Sequence, residues 1–186
     1  MKKCIKALIA ISLLFSTCSL FAKLPTGFYA GAAAIIDNPI SGGGIFGYIT
    51  DKYDFKFLGM YKKFSNNSTL PLEVPYDITA RTEYSVGATF NLVHNVGQSW
   101  RLLYGPAFLY HSIKLNAIPI LGFKPISGHG YTLAFRVGAQ YYFSQHGFVE
   151  FGVAPVSYQL ISLSDKTQVS KTKLFTGMHI SLNYLF

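Results

Sequence analysis

His179 and Ser181 are two residues apart, so an extended strand would place an imidazole and a hydroxyl on one face. That pairing is the start of a hydroxyl nucleophile and its base, and it needs a carboxylate to orient the ring. No acidic side chain follows Asp165. His111 and Ser112 are adjacent, and adjacent strand residues point to opposite faces. A histidine that fills a polar interior is the better reading of both. Asp37, Glu73, Asp77 and Asp165 are scattered at no spacing suited to a metal. Both cysteines, Cys4 and Cys18, lie near the amino terminus and offer no thiolate site further on. The expectation is therefore a chain without catalytic residues, metal or cofactor.

The element that carries His179 and Ser181 is itself informative. Ile180, Leu182, Tyr184 and Phe186 share one face of the last strand, and His179, Ser181 and Asn183 share the other. An aromatic-ended strand that is apolar on one side suits the final, lipid-contacting strand of a closed transmembrane barrel. It equally suits the edge of a soluble sandwich, so the rest of the chain must decide.

Residues 1–22 open with Lys2, Lys3 and Lys6, continue through an apolar core from Ala7 to Phe15, and close on small and apolar residues before Lys23. This reads as a secretory signal removed after Ala22, too short and wrongly flanked to span a membrane. Cys18 follows Thr17, a poor residue before a lipidated cysteine. Of the 16 lysines and arginines, three lie in that segment, leaving 13 against 8 acidic residues, a net +5 with no basic run. Nucleic acid is excluded as a partner on this pattern, and an anionic lipid surface is favoured. The mature region, 23–186, has no stretch near ~18 continuous apolar residues and hence no spanning helix. One domain of this size, without disulfides, must be held by burial and sheet closure.

Period-2 runs between turn signals place strands at 27–36, 44–50, 53–64, 79–93, 100–111, 130–143, 147–161 and 171–186. The connections alternate. Those at 51–52, 94–99 and 144–146 are tight, whereas 65–78, 112–129 and 162–170 are long and polar or rich in Pro and Gly. Short turns on one rim and long loops on the other predict an all-β, eight-stranded, antiparallel up-and-down transmembrane β-barrel with both termini on the periplasmic side. Pro155 predicts a bulge in the seventh strand.

The faces can be tested against lipid. Trp100, Leu102, Tyr104, Phe108 and Tyr110 share a face opposite Arg101, Leu103, Gly105, Ala107, Leu109 and His111. Tyr131, Leu133, Phe135, Val137, Ala139, Tyr141 and Phe143 make a continuous apolar face opposite Thr132, Arg136, Gly138 and Gln140. A soluble lipocalin-like barrel would turn such large residues inward. Tyr53, Phe55, Trp100, Tyr141, Phe143, Tyr184 and Phe186 all fall near the short turns or the carboxyl terminus, as an interfacial aromatic girdle would.

Gly27-Phe28-Tyr29-Ala30-Gly31, Gly42-Gly43-Gly44-Ile45-Phe46-Gly47-Tyr48 and the terminal Tyr184-Leu185-Phe186 resemble the small outer-membrane barrels of the opacity-protein and OmpX-like superfamily. The resemblance implies a bacterial outer-membrane location reached through the periplasm, and insertion by the barrel-assembly machinery reading the terminal aromatic. Roles in that superfamily vary from adhesion to structural anchoring, so it fixes fold better than function. Some eight-stranded barrels are lipid A acylhydrolases, but His179-Ile180-Ser181 lacks the Asn-Ala continuation and the downstream Glu of those enzymes.

An eight-stranded interior is filled by side chains, so a diffusion pore is not expected. Counting from the short turns places Lys56, Arg101 and Glu150 low in the lumen, Arg136 and His179 at mid-height, and Arg81, Glu83 and His111 toward the outer rim. Unpaired charges there would cost several kcal/mol each. Salt-bridged layers are expected, with Glu150 answering Arg101 or Lys56 and Glu83 answering Arg81. The long connection 112–129 carries Ile113, Leu115, Ile118, Ile120, Leu121, Phe123 and Ile126, stiffened by Pro119 and Pro125. It is a candidate contact surface, or an extension of its flanking strands. Lys166, Lys171 and Lys173 could meet lipopolysaccharide phosphates. The sequence thus predicts a monomeric, non-enzymatic outer-membrane protein. Its partners would be membrane lipid, lipopolysaccharide and a host or envelope surface, and a lipid A-modifying enzyme is the alternative.

Overall fold

The computed structural model describes residues 24–36, 40–64, 81–115, 126–164 and 168–186. The expected signal segment, residues 1–22, lies outside them, as do Ile118, Ile120, Leu121 and Phe123. Eight strands follow in chain order: β1 (Gly27–Ile36), β2 (Ser41–Ile49), β3 (Tyr53–Phe64), β4 (Arg81–Val96), β5 (Trp100–Leu115), β6 (Ile126–Tyr142), β7 (Gly147–Leu163) and β8 (Gln168–Leu185). Each pairs antiparallel with the next, and β8 pairs with β1 to close the barrel. Closure gives backbone donors and acceptors the partners that lipid cannot supply.

The short turns are built by local side chains. Thr50 Oγ1 accepts hydrogen bonds from the backbone N–H of Lys52 (3.2 Å) and Tyr53 (2.9 Å) between β2 and β3. Ser144 Oγ does the same for His146 (3.2 Å) and Gly147 (2.7 Å) between β6 and β7. Gly97, at φ 68°, supplies the left-handed residue between β4 and β5. All three turns lie on the rim that holds the carboxyl terminus.

Large apolar side chains alternate outward with a mixture of polar and packed apolar side chains inward. In β5, Arg101, Leu103, Ala107 and His111 are buried while Leu102, Tyr104, Phe108 and Tyr110 are exposed. Large exposed apolar side chains occur on every strand. β1, too small-sided for its sequence to show a face, turns Tyr29 and Ala33 inward and Phe28 and Ile36 outward.

Several boundaries differ from the sequence reading. β2 begins at Ser41, because the Gly42–Gly44 run joins the ladder without side chains to mark a period. β5 runs on to Leu115 and β6 starts at Ile126, so both ends of the connection expected over 112–129 are strand, and its middle, 116–125, lies outside the described residues. In that extension Ile113 points inward at 1% exposure and Lys114 outward. The bulge expected at Pro155 is present: two residues of β7, Ala154 and Pro155, oppose Arg136 alone. A second follows where Val153 of β7 faces Gly177 and Met178 of β8. Gly177 has φ 64° there. The two irregularities lie on adjacent strands and let the outward phase of β8 resume beyond them.

Candidate functional site

The lumen holds layers of polar side chains beside an apolar cluster in which Ile45, Ile49, Leu58 and Met60 of β2 and β3 point inward. Lowest, Arg101 is fully buried and donates to the carbonyls of Pro25 (2.9 Å) and Leu24 (3.3 Å). Its Nε donates to Asn95 (3.0 Å), and its guanidinium lies over the Tyr142 ring at 4.9 Å. Arg101 thereby ties the segment ahead of β1 across the mouth of the barrel. Tyr142 stacks on Phe148 at 4.9 Å and Phe148 meets Tyr29 edge-on at 5.2 Å, which closes this end with rings.

Above them sits the densest charge cluster. Lys56 Nζ lies 2.6 Å from Glu150 and 2.9 Å from Asp54. Tyr29 donates to Asp54 (2.6 Å), as does Asn91 (3.0 Å), and Gln140 donates to Glu150 (2.9 Å). Arg136 and His179 approach the same carboxylate at 3.9 and 3.7 Å. One buried lysine is thus held by two carboxylates, whose remaining lone pairs are taken by neutral donors or further cations.

Near the outer rim a second cluster forms across β4, β5 and β6. His111 Nδ1 lies 2.8 Å from Glu83 and 2.7 Å from Ser85 Oγ, and its Nε2 lies 2.7 Å from Thr132 Oγ1. An acid, an imidazole and a hydroxyl are therefore in line. Ser85 shares the acid-facing nitrogen, and all four groups point into the barrel.

The structure brings Lys56, Arg136, Glu150 and His179 together but places Arg101 in a separate layer, with Asp51 at 3.7 Å, while the ion pairs of Glu150 among the described residues go to Lys56, Arg136 and His179. Glu83 meets His111, and the side chain of Arg81 lies outside the described part. His179 and Ser181 do not bond to each other. Neither ring nitrogen of His179 has a hydrogen-bond partner, and Ser181 Oγ accepts from Asn183 (2.8 Å). Of the expected girdle, Tyr53, Phe55, Phe143, Tyr184 and Phe186 are exposed outward. Tyr141 is covered by Trp100, with ring centroids 4.9 Å apart. Sequence reasoning put Gln140 on the inward face but not in the cluster, and it missed Tyr29, Asp54, Asn91 and Tyr142. Asp54 was within reach, since it shares the inward face with Lys56 two residues on. Among the described residues no group of three acidic, histidine or cysteine side chains is placed to hold a metal.

A closed, eight-stranded, all-antiparallel barrel with an apolar wall and a packed polar lumen has the architecture of the small outer-membrane barrels. Solved structures bear out that fold. Neisserial surface protein A matches with a TM-score of 0.59 at 14% identity, over 86% of this chain and 97% of its own. The N-terminal barrel of Pseudomonas aeruginosa OprF matches at 0.52 and 14%, over 87% and 99%. E. coli outer membrane protein W matches at 0.52 and 15%, over 88% and 99%. No family model matches the chain, and no curated protein does.

Proposed function

We propose that this chain is a monomeric, non-enzymatic protein of the bacterial outer membrane whose external loops serve surface interaction or envelope integrity. One observation carries this reading: every strand exposes large apolar side chains outward, while a buried charge cluster and packed apolar side chains fill the inside of the barrel. Such a wall is at home only in lipid, and such a lumen leaves no channel for solutes. Residues 1–22 would direct export and be removed, and the barrel-assembly machinery would read Phe186. The aromatics Tyr53, Phe55, Trp100, Tyr141, Phe143, Tyr184 and Phe186 would sit at the periplasmic interface. Specific contacts then fall to the long connections, with Ile118, Ile120, Leu121 and Phe123 the apolar candidates. Replacing Ile118 to Phe123 with a short Gly/Ser linker tests this. Insertion is expected to survive and surface binding or the envelope phenotype to be lost, and unchanged binding would refute the role of that loop.

The alternative, a lipid A-modifying enzyme, is favoured by the line of Glu83, His111 and Thr132. Against it, the hydroxyl faces the lumen and not the membrane where an acyl ester lies. The mass spectrum of lipid A from cells with the wild-type chain, without the gene, and with His111→Gln separates the two. Identical spectra are expected, and a mass shift that His111→Gln abolishes would establish the enzyme.

A further inference from the structure

On the outward wall of β2–β5, two adjacent cross-strand rows combine small and large residues. Gly44, Gly59, Val86 and Tyr110 pair in one row, and Phe46, Phe57, Ala88 and Phe108 in the next. The small members leave a shallow apolar groove of about 680 Å³, walled by the rings of Phe57, Phe108 and Tyr110. Toward the long-loop rim the next row holds Tyr61 and Tyr84, exposed and with ring centroids 5.1 Å apart. Beyond it, Lys63 and Lys114 both face outward and are exposed, each level with Thr82 of β4 between them. Lys63 and Lys114 stand two strands apart, roughly 10 Å, and about 13 Å along the strand above Gly59. The described carboxylates are Asp51, Asp54, Glu83 and Glu150, and none lies on this outer half of the wall.

We propose that this wall is a docking site for the lipid A portion of lipopolysaccharide. The groove would take an acyl chain, the tyrosine pair would lie at the polar boundary, and the two lysines would take phosphates. Three features select this occupant over a glycerophospholipid. The cations are paired and spaced, which suits a headgroup with two phosphates on a rigid sugar scaffold better than one with a single phosphate. The apolar surface spans four strands, wider than one or two chains need. The site lies on the rim opposite the short periplasmic turns, which is the leaflet that holds lipopolysaccharide. A lysine at this height meets lipid phosphate with little competing solvation of its stem. The inference rests on the outer-membrane reading but not on any role of the loops.

The test uses the full mature chain folded in detergent micelles, with retained lipid counted by native mass spectrometry after adding lipid A or phosphatidylglycerol. The double variant Lys63→Ala/Lys114→Ala removes the cations. Gly59→Leu fills the groove, and its Cβ would meet no atom within 4 Å, so the barrel accepts it. Each is expected to reduce lipid A retention about tenfold, with phosphatidylglycerol unchanged. Lys52→Ala, on the opposite rim, and Leu182→Phe, on the opposite wall, are expected to retain lipid A as wild type does. Wild-type retention in either site variant would overturn the proposal, as would an equal loss of phosphatidylglycerol, which would mark a generic anionic-lipid surface. A wild-type chain that fails to fold in micelles at all would instead refute the membrane barrel itself.

Discussion

Lys56 Nζ donates to both carboxylate oxygens of Glu150 at 2.6 Å, inside a lumen where neither side chain is more than 3% exposed. Glu150 also receives Gln140 and faces Arg136 and His179. It is the common anion of the cluster. Glu150→Ala would leave Lys56 with Asp54 alone and Arg136 with no described carboxylate nearby. A loss of about 3–5 kcal/mol is expected, because removing one partner strands buried charge. Lys56→Met/Glu150→Leu should recover only part of it, since Asp54 then loses its cation and Arg136 its carboxylate. Urea unfolding from lipid vesicles measures both, and a double variant no better than Glu150→Ala would show that the pair is not the source of the coupling.

Arginine on the outer wall should be costly in proportion to depth. Phe135→Arg, midway along its exposed apolar row, is expected to destabilise by ~2–4 kcal/mol, and Phe143→Arg beside a short turn by about 0–1 kcal/mol. Equal tolerance at the two heights in the same unfolding assay would mean that the wall does not meet lipid.

Phe186 presents a 70% exposed ring that meets Tyr184 edge-on at 5.7 Å, while its backbone N–H donates to Phe28 at 2.9 Å. Phe186→Ala keeps the backbone bond and removes a surface ring. The folded barrel should be nearly as stable as wild type, yet cells should insert several-fold less of it and accumulate periplasmic fragments. Wild-type yield in the membrane would remove Phe186 from any assembly signal.

His179 and Ser181 are lumen residues that do not bond to each other. His179→Asn and Ser181→Ala should leave lipid A acylation unchanged by mass spectrometry and alter stability only. Loss of a lipid A modification in either variant would reinstate the pair as chemistry.

The strand count and faces were legible because alternation in a membrane barrel is strong where strands cross lipid. It failed where that cause ends. Near the long-loop rim the outward face turns polar, with Lys114 out and Ile113 in, and the pattern inverts at the same period. The stretch from Ser112 to Leu115 therefore looks like a loop. Gly42 to Gly44 hides a strand for a simpler reason, since glycine carries no pattern. The lumen cluster was partly legible, because Lys56 and Glu150 have inward parity near short turns. The partners of Arg101 were not, since two are backbone carbonyls of Leu24 and Pro25. Those of His111 come from two neighbouring strands, so they follow only once register is known.

The central claim is a closed barrel whose wall lives in lipid, and gel mobility of the outer-membrane fraction with and without boiling tests it most directly. An unboiled species that runs as a compact form and shifts on heating, found only in that fraction, is the predicted result. A protein recovered in the soluble periplasm, with one mobility whether heated or not, would contradict it.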